Sequence, residues 1–94
     1  MDDFIDSLIS ARDAVTKQVL ALCEPEIAAV CHLLAEGKQV SVKRVESLFD
    51  RLLDHCYNDR VKQLYMELCV AAEQQHPDSV KDYTRYYEEQ WGNE

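Results

Sequence analysis

Two glycines and two prolines in 94 residues leave this chain short of the residues that break regular structure. That scarcity excludes the glycine-rich loops that cradle phosphates and leaves only Pro25, Gly37, Asn58-Asp59 and Pro77 as punctuation. Basic residues are also scarce, 10 against 18 acidic, giving a formal net charge of −8 spread along the chain. Neutralising nucleic-acid phosphates needs a basic surface, so nucleic-acid binding is disfavoured. No apolar run approaches membrane-spanning length, and Met1-Asp2-Asp3-Phe4 lacks the basic region of an export signal. The expectation is a cytoplasmic protein with no membrane association.

What is present is apolar periodicity at three- and four-residue spacing, which specifies amphipathic helices. A hydrophobic fraction of 47% with 30% charged residues fits a folded domain and argues against disorder. The sequence therefore predicts one all-α domain over 1–94, a bundle of four or five short antiparallel helices.

A first helix is expected from Asp3 to Cys23, burying the stripe Phe4, Leu8, Ala11, Val15, Val19 and Leu22. Ile9 and Leu20 lie to one side of that stripe. Proline removes a backbone donor and disfavours helical geometry before it, so a second helix is expected from Pro25 to Glu36, with a kinked continuation of the first as the alternative. Its nearly unbroken apolar surface marks it as central. Gly37 should end it in left-handed geometry, and Ser41 should cap a third helix carrying Val42, Val45, Leu48, Phe49, Leu52, Leu53 and Cys56 on one face. Asn58 or Asp59 caps a fourth, with Val61, Leu64, Tyr65, Leu68 and Ala72 inward and Met66 and Val70 outward. After Pro77 a last helix aligns Val80, Tyr83, Tyr87 and Trp91, closes the bundle and ends at Gly92.

Chemistry-bearing constellations are weak. Cys31-His32 and His55-Cys56 are adjacent pairs, and neighbouring helical residues diverge by about a hundred degrees, too far to share one ion. Only a cross-helix set of Cys31, Cys56 and Cys69 remains conceivable, and small core hydrophobes are the expected role of these thiols. No histidine is placed beside a particular cysteine, so no catalytic residue, metal or cofactor is expected. Asp50 and Asp54 read as solvated helix surface. Ala72 and Pro77 stand at offsets favoured by tetratricopeptide-type helix pairs, over about one third of the chain. Leu53 and Tyr65 occupy positions where such repeats need small residues, and the chain is not read as a member.

Two surfaces stand out. Ile9, Leu20, Met66, Val70 and Tyr86 are apolar positions left over from the core stripes, and they are the candidates for contact with a protein partner or a homodimer mate. Lys38, Ser41, Lys43, Arg44 and Arg51 gather cations near a helix start, a candidate anion site. The leading functional expectation is a small non-catalytic interaction or regulatory protein that presents helix faces rimmed by acids. The alternatives are anion or nucleic-acid-related binding at the basic helix start, and an acidic mimic of the DNA backbone that inhibits a DNA-binding enzyme.

Overall fold

The computed structural model describes the backbone of residues 2–92 and the side chains of residues 11–92. Four helices form: α1 (Asp2–Ala35), α2 (Val42–Leu53), α3 (Asp59–Ala72) and α4 (Pro77–Trp91), with no strand among the described residues. The chain is an all-α bundle. Antiparallel α2 and α3 make its middle; α1 packs on one side of this hairpin and α4 on the other, and among the described residues α1 and α4 share no backbone contact.

Local signals set the ends of α2 and α3. Gly37, at φ 76°, donates to the Leu34 carbonyl while Lys38 donates to Leu33, closing α1 with a left-handed cap. Ser41 accepts the Arg44 amide at 3.2 Å, and Asn58 Oδ1 accepts the amides of Arg60 and Val61 at 2.9 and 3.1 Å. The connection between α1 and α2 is pinned at long range. Gln75 donates to the Lys38 carbonyl at 2.6 Å and accepts the Val40 amide at 3.1 Å, and the His76 ring donates to the Val40 carbonyl at 2.6 Å.

At Pro25 the expectation of two separate helices is corrected. One 34-residue helix runs through it. Proline deprives the Ala21 carbonyl of its helical donor, yet Pro25 and Ala21 are both exposed, so water can serve that carbonyl. Meanwhile Thr16, Cys23, Ile27, Val30 and Leu34 form one buried stripe that continues in register across the proline. Tertiary burial outweighs the local penalty.

The buried face of α1 also differs from the expected one. Ala11, Val15 and Leu22 are exposed, Val19 is half-buried, and Phe4 and Leu8 lie outside the described side chains. At 1.5 Å per residue α1 is about 51 Å long, whereas α2 and α3 span about 18 and 21 Å. Among the described residues α1 meets the hairpin turn through Arg12 and Thr16 against Tyr57, and Ile27, Val30 and Leu34 pack on the hairpin itself. Nor is the segment after Pro25 central, since Ala28, Ala29 and Ala35 face solvent. The α2–α3 hairpin takes that place.

Continuity through Pro25 also revises the reading of apolar length. Ala11–Ala35 is long and apolar enough to cross a membrane by composition, with mean hydropathy 1.4 over 18 residues. Only 22% of that window is buried in the bundle: Cys23, Ile27, Val30 and Leu34 pack inward, and Glu24 and Glu26 pair with Arg60 and Arg44.

Aromatic side chains fill the space between the hairpin and α4. Phe49 lies between Tyr65, edge-on at 5.0 Å, and Tyr83, stacked at 4.8 Å. The Tyr65 hydroxyl donates to the Tyr83 carbonyl at 2.5 Å, and Trp91 Nε1 donates to the Leu53 carbonyl at 2.8 Å. The last helix thus closes the bundle as its stripe implies. The inward residues of α3 are buried as expected, while Val42 at the start of α2 is exposed.

Burial raises the pKa of all four thiols, that of Cys56 to about 12 from an ordinary 9.0, and lifts the Tyr65 and Tyr83 phenols as well. A raised folded-state pKa means that the folded chain holds these protons more tightly than the unfolded chain. Their contribution is complete below pH 9.0 and is lost as pH climbs towards 12. The melting temperature should therefore fall progressively above pH 9.0, and a flat profile through that alkaline range would contradict the burial described.

Candidate interaction grooves

Two open grooves flank α1, one on each side. Between α1 and α3 lies an apolar groove of about 610 Å³, lined by Cys31, Ala35, Met66, Val70 and Ala71, with Gln63 and Glu67 at its edge. Met66 and Val70 are one turn apart on α3, 41% and 78% exposed. Between α1 and α2 lies a groove of about 520 Å³ with an apolar floor of Val19, Leu22 and Cys23. Its rim is polar: Glu26 from α1, Asp50 and Arg51 from α2, and Asp54 and His55 from the turn that follows α2.

The rim carboxylates differ in how they are engaged. Asp50 Oδ1 accepts the Tyr83 hydroxyl at 2.5 Å, and Asp54 meets only the Gln90 amide at 3.4 Å. Glu26 holds Arg44 at 3.4 Å. Burial raises the pKa of the Cys23 thiol and outweighs the lowering influence of Arg51, so the thiol stays protonated at neutral pH and is a poor nucleophile. Among the described residues His55 Nδ1 is buried without a hydrogen-bond partner. A buried polar atom left unpaired costs about 1–3 kcal/mol, which makes this the least satisfied group in the groove.

A third hollow of about 270 Å³ sits at the bundle end beside Tyr57, Lys62, Tyr87 and Trp91. Its aromatic groups are already engaged: the Arg12 guanidinium covers the Tyr57 ring at 3.4 Å, and the Trp91 N–H is held by Leu53.

Of the five apolar surface candidates, the structure brings Met66 and Val70 together in the α1–α3 groove. Leu20 is half-buried against the core. Tyr86 lies on α4, edge-on to Tyr83 at 5.2 Å, away from both grooves. The Ile9 side chain lies outside the described residues.

The anion-site candidates do not converge. Ser41 is occupied as a cap, Lys38 pairs with Glu36 at 3.1 Å, Arg44 pairs with Glu26, Arg51 turns to Cys23, and Lys43 is exposed. Among the described residues no three histidine, cysteine or acidic side chains come together as a metal site.

Sequence reasoning missed the α1–α2 groove. Val19 and Leu22 are expected in the core, whereas Val19 is half-buried and Leu22 exposed beside the groove; Asp50 and Asp54 are exposed as expected but stand on its rim. No family model matches the chain, and no curated protein or solved structure shows significant similarity to it.

Proposed function

We propose that this chain is a small non-catalytic interaction protein that binds a protein partner through apolar surface beside α1. One observation carries the reading. With the core closed, Met66 and Val70 still face solvent in one groove and Leu22 in the other. Contiguous apolar surface of this kind marks contact sites, because leaving it wet forfeits hydrophobic free energy that a partner recovers. The acidic balance keeps the free form soluble. Its free cysteines fit the reducing cytoplasm as its place of work.

The test is native co-purification with mass spectrometry, together with light scattering, on the wild type and on surface variants. Met66→Asp with Val70→Asp, and separately Leu22→Asp, should leave helicity intact while at least one of them abolishes a specific association. A monomeric wild type whose co-purifying proteins are unchanged by both sets would overturn the proposal.

A further inference from the structure

The α1–α2 groove carries more chemical information than its neighbour, and we infer that it receives a basic amphipathic helix from another protein. This assignment rests on the interaction function proposed above and specifies the chemistry of the partner.

The floor supplies the apolar half of the match. Leu22 is 72% exposed and Val15, two helical turns earlier on the same side of α1, is 48% exposed. Residues seven apart on a helix differ in direction by only about 20°. Val15 and Leu22 thus extend the groove floor along the axis of α1, a linear apolar track that suits the apolar stripe of a second helix.

The rim supplies the sign of the charge. Asp50 near the end of α2 and Asp54 at its C-cap stand one turn apart across from Glu26 on α1, which holds Arg44, and among the described residues neither aspartate is paired with a cation. Arg51 is the one cation of the lining, and it is directed to Cys23. Two aspartates without a cationic partner beside an apolar floor favour lysine or arginine at that edge of the incoming stripe. A second copy of this chain fits poorly, because each copy carries a net charge of −8.

The experiment uses the full chain and a synthetic peptide with leucine and lysine at helical spacing, followed by calorimetry and by amide chemical shifts. A counterpart peptide carries glutamate for every lysine. The lysine peptide should bind and shift signals of α1 and α2, its affinity should fall with salt, and the glutamate peptide should not bind. Leu22→Ser and Asp54→Asn should each weaken binding by about ten-fold, while Met66→Ser should leave it unchanged.

Equal binding of both peptides, no binding by the wild type, or insensitivity to Leu22→Ser and Asp54→Asn would overturn the assignment. Sensitivity to Met66→Ser alone would move docking to the α1–α3 groove, overturning the basic-helix assignment while the interaction function stands. Leu22-dependent dimerisation would overturn it in favour of a second copy. The co-purification result above reads the broader function separately, so the two can fail independently.

Discussion

Replacing Phe49 with alanine is expected to remove about 3–5 kcal/mol of folding free energy, a large share of the roughly 5–15 kcal/mol that holds a small domain together. Phe49 is fully buried and touches α3 and α4 at once, edge-on to Tyr65 and stacked on Tyr83. Truncation removes the transfer free energy of a ring and leaves a void. Neither tyrosine can readily fill that void, because the Tyr65 hydroxyl is held by the Tyr83 carbonyl and the Tyr83 hydroxyl by Asp50. The melting temperature should drop by about 15–30 °C. Phe49→Leu, which keeps much of the volume but loses the aromatic geometry, should cost about 1.5 kcal/mol. Denaturant unfolding of the three proteins measures this order directly. A loss below about 1 kcal/mol for alanine would show that Phe49 is not the joint between the hairpin and α4.

Pro25→Ala acts in the opposite direction. Proline inside a helix is about 3 kcal/mol less favourable than alanine, and the stiffer unfolded chain it gives returns about 0.4–1 kcal/mol of that. The position is exposed, so substitution changes little packing. The expected net gain is about 2 kcal/mol, read as a rise of about 8–16 °C in melting temperature. Stability that falls on this substitution would mean that the chain turns at Glu24-Pro25 and that α1 is not continuous.

Helix ends and inward faces of α2, α3 and α4 were legible in the sequence because their causes are local. Gly37 supplies a left-handed backbone, Ser41 and Asn58 offer oxygens to orphan amides, and a three-to-four spacing marks which side is dry. Pro25 misled because its penalty is local while the compensating burial of Cys23, Ile27, Val30 and Leu34 comes from α2 and α3. The rotation of α1 misled for a related reason. Two overlapping apolar stripes run along that helix, and which one is buried depends on how far the hairpin reaches, a length relation that periodicity within α1 does not contain. Met66 and Val70 were visible as surplus apolar residues because they lie opposite a clean stripe. The α1–α2 groove was not, since it forms from residues about 30 positions apart whose partners are chosen only by the bundle.

Because the first and last helices both lean on the hairpin and not on each other, the molecule is built as two brackets bolted to one beam. Loosening either bracket leaves the other seated, so amide protons of the outer helices can exchange through separate partial openings while those of the hairpin wait for complete unfolding.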